Sequence, residues 1–291
     1  MCNAPYAQQV SEADPQITLC FFGITRSLPH TIDALRQNVI NPAQALGPCR
    51  IFAHFFDQRQ IDNPRSGEHV GVGADDWKLL APDWIQIDPP DQFLPQIEAN
   101  KITSFGDTWG DGGRSRRNLL HQLRSLDIVT EAALADPVPD RTELFLFLRP
   151  DLLYHDDFTG AVGRLLQDRA DQVVTVANWQ HWRGLNDRFA LCKGRVAART
   201  YGNRLGAALE YCSAYGPLHG EKLLKHVVRT NPVTLRLTKL RASRVRANGT
   251  RKPESFLHYR LHNLKWNAIA MSYRIYKATG LAQLRKGRSR P

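Results

Sequence analysis

The segment LFLFLRPDLLYHDDF (144–158) runs five apolar residues into a cation and an anion, Arg149 and Asp151. A carboxylate in such a place can hold Mg²⁺ or Mn²⁺ against two phosphates, a task for hard oxygen ligands. A guanidinium can bind the same phosphate oxygens in bidentate fashion, and it never loses its charge. An Arg–Asp pair that simply closes a strand end accounts for the same residues, and Asp156 and Asp157 have the placement of ordinary helix caps. Farther on, NWQHWRGLNDRFALC (178–192) sets Asp187 between Asn186 and Arg188, with Trp179 and Trp182 nearby. Aromatic faces stack on the C–H side of a sugar ring while a neighbouring carboxylate takes a hydroxyl proton, which makes Asp187 the first candidate for a general base. The two tryptophans serve equally well as packing residues. The turn before Phe189 should leave Asp187 partly exposed at a sheet edge, with Arg188 acting on its ionisation. Glu221, after His219 and Gly220, is the second candidate base, although an acid in a helix's first turn is explained by the helix dipole alone.

The elements that must position these residues follow from hydrophobic period. QITLCFFG (16–23) and CRIFAHFF (49–56) read as buried strands, and WIQI (84–87) as a weaker one. Between the first two, Ile32, Leu35, Val39 and Ile40 recur at helical spacing, with Asn41-Pro42 as the stop. SFGDTWGDGGRSRRN (104–118) reads as an irregular loop before a long helix that carries Leu119, Leu123, Leu126 and Ile128 with Val129 on one face. The strand over 144–148 is followed by a helix over 157–167, a strand over 173–178, helices over 196–211 and 220–228, and a strand pair over 233–246. Alternation of strand and helix predicts an α/β fold with a mostly parallel sheet.

The chain of 291 residues is 42% hydrophobic and 23% charged, a composition suited to a folded domain. No apolar run approaches the roughly 18 residues of a membrane span, and residues 1–15 lack the pattern of a secretory leader, so a cytoplasmic protein is expected. Five scattered cysteines without a CxxC pair predict neither a disulfide framework nor a zinc knuckle. The net charge of +11 is local: from Arg241 onward there are 13 Lys and Arg and one acid, Glu254. Leu257, Leu261, Leu264, Ala268, Met271 and Ile275 form a helical stripe there, flanked by basic residues, which suits either docking on the domain or an anionic membrane surface. The expected organisation is an extension over 1–15, a catalytic domain over 16–252 and a basic amphipathic tail over 253–291.

The succession ITLCFFGITRSL, RIFAHFFD, HQLRSLDIV, LFLRPDLLYHDDF, NWQHWRGLNDRFALCKGRVAARTY, HGEKLLKHVV and RLTKLRASRVRANG resembles bacterial nucleotide-sugar-dependent glycosyltransferases of the GT-A type that assemble surface polysaccharides. The resemblance covers about three quarters of the chain, in pieces. It implies a GT-A-like, Rossmann-type mixed sheet and transfer of a sugar from a nucleoside diphosphate to a glycan or lipid-linked acceptor. It places Gly23 and Arg26 near the nucleotide, Asp57 near the base or ribose, Arg149 and Asp151 at the pyrophosphate, His219 at the diphosphate or metal, and Asp187 at the acceptor. Where that family has Asp-x-Asp for Mn²⁺ or Mg²⁺, this chain reads Arg149-Pro150-Asp151, with Asp151 as the one remaining metal ligand. The motifs GxxxxGK[ST], HExxH, GxSxG and a complete GxGxxG are absent, which argues against a P-loop kinase, a zincin, an α/β-hydrolase or a dinucleotide dehydrogenase. Two other readings stay open: a nucleic-acid-binding protein that uses the tail as an electrostatic arm, and an inactive glycan-binding relative.

Overall fold

A computed structural model describes residues 15–63, 68–135 and 141–261. The chain opens with β1 (Gln16–Gly23), buried from Gln16 to Phe22 as a central strand covered on both faces should be. α1 (Leu28–Leu35) buries Leu28, Ile32 and Leu35 and passes through a π-helical turn, Arg36–Ile40, into α2 (Asn41–Leu46). Asn41-Pro42 therefore does not end the helical run as predicted. Pro42 instead follows just after the π-helical turn, where the local change in hydrogen-bond pattern accommodates a residue without an N–H. Next come β2 (Cys49–Phe56), then β3 (Gln60–Asn63) and β4 (Glu68–Gly71), which form an antiparallel hairpin that the sequence did not announce. β5 (Trp84–Asp88), α3 (Ala99–Ser104) and α4 (Arg114–Leu134) follow. α4 starts earlier than its apolar face predicts, because Arg114 to Asn118 carry no hydrophobic signal.

β6 (Glu143–Leu148) is joined by a tight turn to β7 (Leu152–Tyr154), then come α5 (Thr159–Leu166), β8 (Val173–Ala177) and β9 (Ala190–Lys193). The helix predicted over 196–211 is divided into α6 (Arg195–Gly202), a 3-10 turn at Arg204–Ala207, and α7 (Ala208–Tyr215), and Arg204 turns into the interior at the break. α8 (Gly220–Thr230), β10 (Thr234–Thr238) and β11 (Ala242–Arg244) complete the named elements. The strand pair expected over 233–246 does not form: β10 runs parallel beside β8, whereas β11 pairs antiparallel with β7. Both segments are strands, but their partners lie far away in the chain.

The main sheet has seven strands in the order β10-β8-β9-β6-β1-β2-β5, all parallel to their neighbours except β9, which is antiparallel to both β6 and β8. This is the mixed, mostly parallel, helix-flanked sheet expected of a GT-A-like chain. One core, including Leu123, Leu126, Tyr201 and Leu224, lies under α4, α6 and α8, and another, including Leu28, Leu35 and Val162, lies under α1 and α5. From β1 the chain builds outward through β2 to β5, then crosses back to place β6 on the other side of β1. The β1/β6 boundary is thus a topological switch point, where loops diverge beyond the carboxyl ends of the strands and leave a crevice.

Beyond β11, residues 252–257 are irregular and not helical as predicted, and Phe256 meets Trp179 and His155 edge to face. Leu257 and Leu261, the first members of the predicted stripe, are exposed; the rest of it lies outside the described residues. No described helix is long and apolar enough to cross a membrane.

Candidate active site

At the switch point β1 ends in Gly23, at φ +107°, and its N–H donates to Ser125 Oγ on α4 at 2.8 Å. Ser125 is also bonded to the carbonyl and Nδ1 of His54, whose Nε2 lies 3.1 Å from Asp88. Burial lowers the His54 pKa even though Asp88 opposes it, so a neutral imidazole braces the end of β1. Three residues beyond Gly23, Arg26 turns back over the sheet toward Asp151.

Asp151 occupies the β6–β7 turn, which is held from several directions. Thr31 Oγ1 donates to Pro150 O at 2.6 Å, Val245 N–H to Asp151 O at 2.9 Å, and Arg149 N–H to the Tyr154 hydroxyl at 3.1 Å. The Asp151 side chain is 2% exposed and fully engaged: Arg149 binds both its oxygens, through Nε and Nη2 at 2.9 Å each, and Arg26 Nη2 adds a third bond at 3.0 Å. Arg149 Nη1 also donates to Gln122 Oε1 at 2.7 Å. Burial alone would raise the Asp151 pKa, but the charges of Arg149 and Arg26 reverse that and hold the carboxyl well below the usual range.

A divalent cation does not fit this donor set. Mg²⁺ and Mn²⁺ need several oxygen ligands, whereas Asp151 is filled by two guanidinium groups, and no cluster of three His, Cys, Asp or Glu suited to a metal occurs among the described residues. The metal role expected of Asp151 finds no support in its surroundings.

Asp187 lies in the loop between β8 and β9, in contact with the start of α8. Gln180, Trp182 and Arg183 have left-handed backbones, an uncommon concentration of non-glycine residues at positive φ. The loop is fixed by Leu185 N–H to Glu221 O at 2.8 Å, Asn186 Nδ2 to Trp179 O at 2.7 Å, and Tyr201 OH to Asp187 O at 3.1 Å. A Cβ at Gly184 would lie 2.0 Å from Glu221 O, and one at Gly220 would lie 2.5 Å from Asp187 Oδ2, so both glycines permit the contact. Asp187 is not the partly exposed sheet-edge residue that the turn suggested: it is 9% exposed, and no described residue hydrogen-bonds its carboxylate. Burial, then the charge of Glu221, pushes its pKa up to about 6 against the pull of Arg204, Arg149 and Arg188. Arg188 turns instead to Glu254 and Gln180, and so anchors the segment after β11 to this loop.

The other predicted residues divide. Glu221 Oε2 lies 3.1 Å from His219 Nδ1, and His219 stacks on Trp109, so this pair stands beside Asp187 at the start of α8. Asp57 stands apart: at 45% exposed it pairs with Arg59 at 2.6 Å. Asp156 pairs with Arg241 and Asp157 accepts the Thr159 N–H near the start of α5; both are structural, but neither is the expected N-cap, a position held by Phe158.

Sequence reasoning missed Arg204, Gln122, His54 and Ser125. Arg204 is 1% exposed, lies over the Tyr201 ring at 4.4 Å, and leaves Nε and Nη2 without hydrogen bonds. Nothing in NRLG marks it. His54 did carry a signal, as a lone imidazole inside the apolar run CRIFAHFF. A cleft of about 550 Å³ between α3 and the start of α4, lined in part by Glu98, Lys101, Arg116 and Arg117, contains none of the predicted residues.

No protein-family model matches the chain, and no curated protein matches it. Among solved structures the chain is similar to mouse xyloside xylosyltransferase 1 in its apo form, at 12% identity over 77% of this chain and 85% of that one, with a TM-score of 0.40.

Proposed function

We propose that this chain is a glycosyltransferase that moves a sugar from a nucleoside diphosphate donor to a hydroxyl group of a glycan or lipid-linked acceptor, in line with the surface-polysaccharide enzymes its sequence resembles. The observation that carries the reading is Arg149, whose charge acts on two buried carboxylates of opposite character, the paired Asp151 and the unpaired Asp187. Such a site has cationic groups for a departing diphosphate and a carboxylate with a pKa near neutrality for a proton. In the proposed reaction the bond from the anomeric carbon to the diphosphate oxygen breaks and the diphosphate leaves with the electron pair. The acceptor oxygen forms the new bond to that carbon, and its proton passes to Asp187. Arg149 and Arg26 stabilise the charge on the leaving group. Glu221 is the reserve base and, through its charge on Asp187, a tuning group.

The nucleic-acid reading gains less, because Arg241 and Arg244 at the start of the basic region are already paired with Asp156 and Glu254. The exposed Leu257 and Leu261 suit peripheral contact with anionic membrane, to be tested as vesicle binding that weakens with salt. The transfer reading is tested by offering UDP-, GDP- and dTDP-sugars to the full chain and measuring nucleotide release with and without hydroxyl acceptors. Release from one donor, accelerated by an acceptor, is expected. Failure to bind or cleave any donor would defeat the reading.

A further inference from the structure

We propose that the switch-point site binds a diphosphate through the paired guanidinium groups of Arg26 and Arg149 without a divalent cation, and that Asp151 is a positioning residue that aims both of them. The inference rests on the donor reading above for its ligand.

A guanidinium has five N–H donors. Arg149 directs three of its own at Asp151 and Gln122, which leaves two N–H groups uncommitted. Arg26 commits one, to Asp151 Oδ2, and its Nε is buried without any partner. Both side chains are only 19% exposed, so the uncommitted donors have little water to satisfy them. Unmatched donors on partly buried cations favour an anion that can meet them.

The charges agree. Two guanidinium groups around one carboxylate leave a net positive charge at the crevice, a Coulombic role that a divalent ion would otherwise fill. Placing that ion on Asp151 would require breaking the bidentate Arg149 pair and seating a dication against two cations. The turn is also braced from outside, by Thr31 on Pro150, Val245 on Asp151 O and Tyr154 on the Arg149 N–H, so the guanidinium fork is held before any ligand binds. Preorganised donors of this kind need little rearrangement when charge develops on the leaving group. Asp187 is the nearby anion whose charge acts on Arg149, and Arg149 is thereby shared between the diphosphate end and the proton-accepting end of the site.

The test is calorimetric titration of the full chain with inorganic pyrophosphate, which carries no base or sugar, in EDTA and in excess Mn²⁺. Binding in EDTA is expected, with no gain from Mn²⁺. Arg149→Lys keeps the charge but loses the fork, and Arg26→Gln loses charge and donors; each should weaken binding by about tenfold or more, since each removes charged hydrogen bonds to the ligand. Asp151→Asn is the sharpest variant. It removes a negative charge from an anion site, which on charge alone would tighten binding, whereas loss of aim should weaken it. If that variant does not fold, the two arginine variants decide. Binding that appears only with Mn²⁺, or an Asp151→Asn protein that binds pyrophosphate in EDTA as tightly as wild type, overturns the proposal. UDP, GDP, CDP and dTDP are titrated into the same preparation. Metal-free pyrophosphate binding without any tighter nucleotide would defeat the nucleotide-donor reading and uphold this one; a nucleotide that binds only with Mn²⁺ would do the reverse. No binding under any condition overturns both.

Discussion

Asp151 and Asp187 are the same residue type, both at least nine-tenths buried and both under the influence of Arg149, yet they ionise in opposite directions. Asp151 accepts three charged hydrogen bonds and stays anionic far below the usual carboxylate range. Asp187 accepts none from a described residue and has Glu221 beside it, and its pKa rises to about 6. Desolvation acts on both; what differs is whether a guanidinium touches the carboxylate. Burial therefore does not fix the chemistry of an acid. Contact does, and the satisfied acid builds the site while the unsatisfied one is free to take a proton.

The largest effect that would break this comparison is on turnover. Asp187→Asn should bind nucleotide as wild type does but transfer sugar about 10² to 10⁴ times more slowly, as loss of a general base requires. Wild-type turnover in that variant would remove Asp187 from the mechanism. Next in size is stability at the other acid. Asp151→Asn leaves Arg149 and Arg26 without their counter-ion and should destabilise the fold by about 3 to 5 kcal/mol, read by denaturant titration at neutral pH. A loss below about 1 kcal/mol would show that the pair is not the brace described here.

The pH dependence sharpens the contrast, because the signs are opposite. Asp187 binds its proton more tightly folded than unfolded, so its contribution to stability is complete below about pH 4 and is lost as pH rises to about 6. Asp187→Asn should consequently be more stable than wild type at pH 7, by up to about 3 kcal/mol, and match it near pH 4. Asp151 has a depressed pKa, so its contribution is complete above the unfolded value near 4 and is lost as pH falls below it. The deficit of Asp151→Asn should shrink in acid. Melting curves of both variants from pH 7 downward check both statements, and parallel curves would erase the distinction. The smallest effect is the control: Asp57→Asn breaks an exposed pair with Arg59 and should leave nucleotide affinity and stability unchanged, since such pairs contribute roughly 0 to 1 kcal/mol. A marked loss of nucleotide affinity there would restore Asp57 to the site.

Hydrophobic period alone determined most of the layered α/β plan. β1, β2, β6 and β8 are apolar runs with few alternatives, and the faces of α4 and α8 repeat at helical spacing. Arg149 and Asp151 were legible as candidates because charge at the end of an apolar run is costly without a purpose, and Asp187 because it is a carboxylate among aromatic residues. Partners were not legible. β10 and β11 were visible as strands, but β8 and β7 as their neighbours are long-range choices, made when the sheet closes. Arg26 and Asp151 stand 125 residues apart and meet only because the chain crosses back at the switch point. The same holds for the ionisation of Asp187. Its neighbour in sequence, Arg188, suggested one charge acting on it, and Arg188 does act, but tertiary packing pairs Arg188 with Glu254 and brings Glu221, Arg204 and Arg149 to bear ahead of it. A residue's type and its local period come with the chain; its electrostatic surroundings are set by whichever distant segments the fold brings within a few ångströms.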